Sequence, residues 1–287
     1  MLFLDNVLQD FIDRAPEDME RAKYAAMRER SVGLGVMGFH SFLQAKNVPF
    51  ESVIAKVWNR KIFKHIREQA DAASRHLAEL RGACPDAEEY GFMERFSNKM
   101  AIAPTASISI IAGNASPGIE PIAANVFWQK TRSGSFTVRN RHLQKLLEEK
   151  GYDTPEVWSS ITTTKGSVQH LDFLDQQEKD VFKTAFELDQ RWVVEHAADR
   201  QPYVCQAQSV NLFLPADVHK RDLHQIHFQA WKKGLKSLYY CRSLSIQRAD
   251  TVSNVLDKND VMTPSVDAPR TDTGAGSGNY EECLACQ

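Results

Sequence analysis

The sequence predicts an α/β fold in which helices alternate with short strands. In several long segments, apolar side chains recur every three or four residues, which is the spacing of one helix face. Between these segments lie shorter runs rich in Val, Leu, Phe and Tyr, residue types that favour strands. Hydrophobic residues make up 43% of the 287 residues, so the chain is long and apolar enough to bury a core.

Two helices are expected in the first third of the chain. An apolar stripe at helical spacing predicts the first, and its members are Leu4, Val7, Leu8, Phe11 and Ile12. A longer amphipathic pattern predicts a helix over residues 52–80, which Gly82 can end. Because few residues precede the first stripe, we expect its apolar face to need a partner from elsewhere.

Two further helices are expected in the second half of the chain. Asp175, followed three residues later by Glu178, resembles a capping box and predicts the start of a helix over residues 176–198. The last amphipathic pattern covers residues 216–233 and ends near Gly234.

Three short strands are expected over residues 99–104, 210–214 and 236–241. Beyond residue 248 the periodicity ends, and the remaining sequence is rich in Pro, Asp, Thr, Gly and Ser. We therefore expect a folded domain over residues 1–248 and a flexible tail over residues 249–287.

Composition excludes several classes of function. The 35 basic and 37 acidic residues give a formal charge of −2, which provides no overall attraction to nucleic acid. No apolar run is long enough to span a membrane, and the start lacks a secretion signal, so we expect a cytoplasmic protein. Five cysteines, an odd number and mostly far apart, do not suggest a disulfide framework.

The first candidate site is a loop of small hydroxyl residues that follows an expected strand. Such a loop, turning into a helix, points unpaired N–H groups at one spot and suits a phosphate. The hydroxyls of Thr105, Ser107 and Ser109 could add donors. The alternative is an ordinary helix cap without a ligand.

The second candidate site is the adjacent pair Tyr239 and Tyr240. In a regular strand, one ring would face the core and the other the solvent, since successive side chains alternate. The alternative is a redox pair that passes a proton and an electron between phenols. That function requires the rings to touch, and therefore requires the backbone to bend or the strand to end there.

The third candidate site is the Cys-x-x-Cys pair formed by Cys283 and Cys286. Two thiols at this spacing can close a disulfide, one attacking and the other resolving the mixed disulfide. A zinc half-site is the alternative, but no second Cys/His pair lies near the tail. A flexible linker of about 35 residues has a span on the order of 30 Å, which would let the pair reach an interior site.

In order and spacing, seven short motifs resemble the C-terminal half of the large, catalytic subunit of class I ribonucleoside-diphosphate reductases. They are RSVGLG at 30–35, GACP at 82–85, PTAS at 104–107, GIEP at 118–121, ADRQ at 198–201, QSVN at 208–211 and LYY at 238–240. The resemblance covers nearly the whole chain. It implies the later part of a ten-stranded α/β barrel with flanking helices and a flexible redox tail.

The resemblance also implies a role for each candidate site. The loop that holds the substrate diphosphate corresponds to Pro104, Thr105, Ala106, Ser107 and Ile108. Tyr239 and Tyr240 correspond to the pair that relays a radical from the metal centre of a small subunit. Cys283 and Cys286 correspond to the tail dithiol that re-reduces the active site and is itself reduced by thioredoxin or glutaredoxin. No cofactor or metal bound by the chain itself is implied.

The chain lacks residues that a complete enzyme of this family uses. The radical-bearing cysteine, the reducing cysteine pair and the neighbouring Asn and Glu belong to a preceding region, and Cys84, Cys205 and Cys241 match none of these positions. We therefore expect a split half or a truncation that works in an oligomeric assembly with a separate N-terminal half and the small subunit. Two alternatives remain, namely a fragment of a class II, cobalamin-dependent reductase and an inactive interaction module with a redox tail.

Overall fold

The computed structural model describes residues 1–131 and 134–243, which form the helices and strands of an α/β fold. The helices are α1 (Leu2–Arg14), α2 (Glu20–Glu29), α3 (Phe39–Ala45), α4 (Val53–Arg81), α5 (Pro85–Glu89), α6 (Ile108–Ile111), α7 (Arg141–Lys150), α8 (Pro155–Thr163), α9 (Gln176–Val181), α10 (Gln190–Arg200) and α11 (Lys220–Lys232). The strands are β1 (Val126–Thr131), β2 (Gly134–Arg139), β3 (Leu212–Leu214) and β4 (Cys241–Ser243).

Parallel backbone pairing joins segments that are distant in sequence. β3 pairs with β4 in parallel, with Leu212 opposite Cys241. Isolated parallel bridges join Leu34 to Met100 and Ile102 to Gln208. β1 and β2 form a separate antiparallel hairpin. Within the part of the chain that is described, the parallel segments do not close into a barrel.

The main core lies where α3, α4, α10 and α11 pack against these parallel segments. Its buried side chains include Phe39, Phe63, Ile102, Val194 and Leu212. A second cluster joins α7, α8 and α9 to β1, and a third holds α1 against α4. The parallel segments are therefore part of the main core, since Met100, Ile102 and Leu212 are buried in it.

Several predicted helices are confirmed. The first apolar stripe forms α1, and the pattern over residues 52–80 forms α4, which Ser52 caps by accepting a hydrogen bond from the backbone N of Ala55. Asp175 and Glu178 form the expected capping box at α9. The last pattern, over residues 216–233, forms α11. Among the described residues, no helix is long and apolar enough to cross a membrane.

The prediction of one continuous helix over residues 176–198 is wrong. The chain leaves the helix after α9 because side chains bind the intervening backbone: the Glu187 carboxylate accepts from both the N and the Oγ1 of Thr184, at 2.7 and 2.9 Å. Asp189 then caps α10 by accepting from the backbone N of Arg191.

All three predicted strands differ in extent from the observed pairing. Residues 99–104 form only the isolated bridges at Met100 and Ile102. The strand expected over residues 236–241 begins only at Cys241, as β4. The third expected strand forms, but β3 is shorter than predicted. Residues 249–287, expected to be a flexible tail, lie outside the described residues.

Candidate functional site

The loop at residues 104–108 is a tight turn held by its own hydrogen bonds. Thr105 has a φ of 55°, in the left-handed region, and its Oγ1 accepts from the backbone N of Gly118 at 2.7 Å. Ser109 donates from its backbone N to the carbonyl of Thr105 and from its hydroxyl to the carbonyl of Ala106. The Ser109 hydroxyl proton is therefore already used inside the loop and does not face a ligand.

The same loop presents several unpaired backbone donors. Among the described residues, the N–H groups of Ala106, Ser107 and Ile108 have no hydrogen-bond acceptor. Ser107 stands at the N-cap of α6 but makes no side-chain capping bond, so the ordinary helix cap that the sequence allowed is not observed. The loop thus has the free donors that an anion would need.

Gly118 allows the loop at residues 104–108 to pack closely against the next segment. Its φ is +46°, and a Cβ placed there would lie 2.9 Å from the carbonyl oxygen of Ala103. No side chain fits in that space without a shift of the backbone. The two segments are therefore in backbone contact on one side of the site.

Tyr239 and Tyr240 lie just before β4, at the point where regular pairing begins. The backbone N of Tyr239 donates to the carbonyl of Val210, and the carbonyl of Tyr240 accepts from the N of Leu212, both at 2.9 Å. The ring centroids are 4.1 Å apart, the hydroxyl oxygens are 3.4 Å apart, and both side chains are exposed. The rings touch instead of alternating between core and solvent, as the redox hypothesis required.

Glu120 and Asn211 are two buried polar residues that the sequence did not single out as functional. Asn211 donates from Nδ2 to Glu120 Oε1 and accepts at Oδ1 from the backbone N of Tyr240. Burial raises the pKa of Glu120 from 4.5 to about 7, although Arg242 and the bond from Asn211 oppose this shift. Both residues belong to quoted motifs, GIEP and QSVN, but only the fold brings them into contact.

One cavity joins the loop to the strand that follows the tyrosines. Its volume is about 110 Å³, which is room for several water molecules. The residues that line it include Pro104 and Ala106 of the loop together with Glu120, Phe213 and Arg242. The loop at residues 104–108 and the strand that follows the tyrosine pair therefore border the same cavity, although neither Tyr239 nor Tyr240 lines it.

Cys283 and Cys286 lie outside the described residues, so their position relative to this cavity is not part of the structure. Among the residues that are described, no group of His, Cys, Asp and Glu side chains is arranged to hold a metal ion.

Comparison with known proteins identifies the family to which the chain belongs. The family model of the ribonucleotide reductase barrel domain matches residues 2–94 and 86–241. The chain therefore belongs to the ribonucleotide reductase barrel family.

Individual relatives agree with this assignment. The chain is 52% identical over 258 residues to the ribonucleoside-diphosphate reductase large subunit of Invertebrate iridescent virus 6, covering 88% of this chain and 27% of that protein. It is 32% identical to the large subunit of Caenorhabditis elegans, covering 97% of this chain and 39% of that protein. Among solved structures, it resembles the class Id ribonucleotide reductase alpha subunit of Actinobacillus ureae, with a TM-score of 0.78, 42% identity, and coverage of 85% of this chain and 45% of that one.

The chain thus spans 27% to 45% of the length of these relatives.

Proposed function

We propose that this chain acts as part of the large subunit of a ribonucleoside-diphosphate reductase, which converts ribonucleotides to deoxyribonucleotides. The observation that carries the proposal is the shared cavity, which Pro104 and Ala106 line together with Arg242 of the strand that follows Tyr240. The names of the relatives, which are large subunits of this enzyme, support the same assignment.

In this proposal, residues 104–108 bind the diphosphate of the substrate. The free N–H groups of Ala106, Ser107 and Ile108 are suitable donors, because backbone amides carry partial positive charge without bringing a counter-ion. Thr105 and Gly118 act indirectly, since their hydrogen bond fixes the shape of the loop.

Tyr239 and Tyr240 relay the radical. One phenol loses an electron and a proton as its neighbour's phenoxyl radical gains both, so that the pair exchanges one hydrogen equivalent and no net charge. The contact between the rings and the 3.4 Å between the hydroxyl oxygens support this assignment.

We further propose how this chain combines with the other parts of the enzyme. The parallel segments form the later part of a ten-stranded barrel that is completed by the remaining large-subunit sequence, which also supplies the residues that act on the sugar. The radical comes from the metal centre of a small subunit. Cys283 and Cys286 transfer two electrons from thioredoxin or glutaredoxin to the active-site disulfide.

Reconstitution tests this function. The chain is mixed with the remaining large-subunit sequence of a relative, a small subunit and a dithiol reductant, and deoxynucleotide formation from a ribonucleoside diphosphate is measured. We expect activity that Tyr240→Phe abolishes, because phenylalanine has no hydroxyl hydrogen to exchange.

The result also separates the alternatives. A class II reductase would keep its turnover in Tyr240→Phe, because it does not use a tyrosine relay. An inactive interaction module would give no deoxynucleotide and no co-purification with the remaining large-subunit sequence. Either outcome would contradict the proposed function.

A further inference from the structure

Glu120 and Asn211 connect the two sites to which the proposed function gives different tasks, the loop at residues 104–108 and the tyrosine pair. Asn211 is fully buried, donates to Glu120 and accepts from the backbone N of Tyr240 at 2.9 Å. Glu120 lies two residues after Gly118, whose backbone N donates to Thr105. A path of short chain segments and hydrogen bonds therefore leads from the loop at residues 104–108 to the tyrosine pair.

The Asn211 side chain completes the attachment of the tyrosine segment. Backbone hydrogen bonds to Val210 and Leu212 hold this segment from both sides of Asn211. The Asn211 amide adds a third bond, to Tyr240, and is the only one of the three made by a side chain. Because a side-chain amide can rotate while the backbone ladder stays in place, this third bond is the adjustable one.

We propose that Glu120 and Asn211 are positioning residues that make the placement of the tyrosine pair depend on whether a phosphate group occupies the cavity. This inference rests on the proposed function in one respect, since it takes residues 104–108 to be the phosphate site.

The charges around the cavity explain why a bound phosphate would change the protonation of Glu120. Arg242, on β4, is the charged group that faces Glu120 among the described residues, and the other residues lining the cavity are prolines, alanines and Phe213. Burial raises the pKa of Glu120 to about 7, so that its carboxyl exchanges a proton near neutral pH. A bound phosphate raises that pKa further, because like charges disfavour each other in a buried site.

Occupancy of the cavity therefore favours the neutral carboxyl. A hydrogen bond to a neutral carboxyl is weaker than one to a carboxylate. When Glu120 becomes neutral, Asn211 is held less firmly on that side, and its remaining bond, to Tyr240, determines its position. The position of the tyrosine pair therefore depends on a ligand that the pair does not contact.

The test places 3-fluorotyrosine at position 240 of the full chain and follows its ¹⁹F resonance as pyrophosphate is added above pH 7. We expect pyrophosphate to shift this resonance in the otherwise unaltered chain. In Glu120→Gln, which keeps the side-chain shape and the acceptor for Asn211, we expect the shift to fall at least by about half. The same variant should bind pyrophosphate about fivefold more tightly by calorimetry, because the repelling carboxylate is gone. A label at Tyr24, on α2, is the control and should not respond.

A second variant keeps the inference testable if the first does not fold. Asn211→Ala removes both bonds of this side chain, to Glu120 and to the backbone N of Tyr240, so it should also uncouple the label from pyrophosphate. An equal ¹⁹F shift in the unaltered chain and in either folded variant would overturn the inference.

A titration without ligand separates the inference from the proposed function. In the unaltered chain, the ¹⁹F resonance should show a midpoint near pH 7, which Glu120→Gln removes. Absence of that midpoint overturns the inference. A chain that shows the midpoint but does not bind pyrophosphate would instead overturn the assignment of residues 104–108 as the phosphate site.

Discussion

At the scale of single residues, Gly118 is expected to tolerate no side chain. Gly118→Ala should lower the free energy of unfolding by about 2–3 kcal/mol, because it combines a positive φ with a close approach to the Ala103 carbonyl. Gly151→Ala is the matched control, since Gly151 also has a positive φ but nothing within 4 Å of the added Cβ. It should cost about 1 kcal/mol. Urea denaturation measures both, and equal losses would contradict the close approach.

Thr105 is a second residue whose contribution to the free energy of unfolding can be measured separately. Thr105→Val removes the acceptor for the backbone N of Gly118 and should cost about 1–2 kcal/mol in urea denaturation, because that N–H is left without a partner. Thr105→Ser keeps the hydroxyl and is less crowded at a φ of 55°, so it should be at least as stable as the unaltered chain. If serine and valine were equally destabilising, the hydrogen bond would not be what holds the loop.

At the scale of elements, one buried carboxylate adds to the apolar packing that holds α1 against α4. Asp5 accepts from Arg30, Arg81 and Arg95, which come from α4 and the segments that follow α2 and α5. Burial alone would raise the pKa of Asp5, but hydrogen bonds from the three arginines outweigh it and hold the pKa below 3.8. Its contribution to stability is therefore complete above about pH 4 and is lost as the pH falls through the folded-state pKa.

Asp5→Asn tests this attachment. It should cost about 3–5 kcal/mol at neutral pH, because buried arginines lose their counter-charge. Asp10→Asn, on the same helix, removes only an exposed ion pair with Arg14 and should cost less than about 1 kcal/mol. Urea denaturation at neutral and acidic pH should show the difference between Asp5→Asn and the unaltered chain shrinking in acid. A difference independent of pH would contradict the role of the charge.

The elements also show what local sequence can and cannot predict. The stripe of α1 and the capping box at Asp175 are local patterns, and both were predicted correctly. The break between α9 and α10 depends on Glu187 binding Thr184 and on Glu51, from a distant segment, accepting from the backbone N of Asp189. Short strands such as β4 depend on a parallel neighbour, and their own composition does not fix where they start.

At the scale of the whole molecule, the candidate site also combines residues that local sequence predicts with residues that only long-range contacts reveal. The loop at residues 104–108 and the tyrosine pair are contiguous in sequence, and their residue types suggested their chemistry. Glu120 and Asn211 are 91 positions apart and carry no pattern that links them. Only the parallel arrangement of the segments at 208–214 and 239–243 brings Asn211 between Glu120 and Tyr240.

The pH dependence of the free energy of unfolding of the whole molecule provides a further test of the raised pKa of Glu120. Burial lowers the pKa of His40 from 6.5 to about 3 and that of His196 to about 4, so stability falls as the pH drops below 6.5 and the unfolded chain takes up protons. Glu120 has the opposite effect on the pH dependence of stability, because it raises stability as the pH falls toward 4.5. Its pKa is raised from 4.5 to about 7, so between these values the folded chain keeps a proton that the unfolded chain has released.

Glu120→Gln removes this opposing contribution. From pH 6.5 down to pH 4.5, the free energy of unfolding of the variant should fall more steeply than that of the unaltered chain, by about 1 kcal/mol per pH unit. Below pH 4.5 the two slopes should agree, because Glu120 is then protonated in both the folded and the unfolded chain. Glu148→Gln, at an exposed position on α7, should leave the curve unchanged. Urea denaturation across this range measures all three proteins, and parallel curves for Glu120→Gln and the unaltered chain would mean that the carboxyl of Glu120 does not hold its proton in the folded protein.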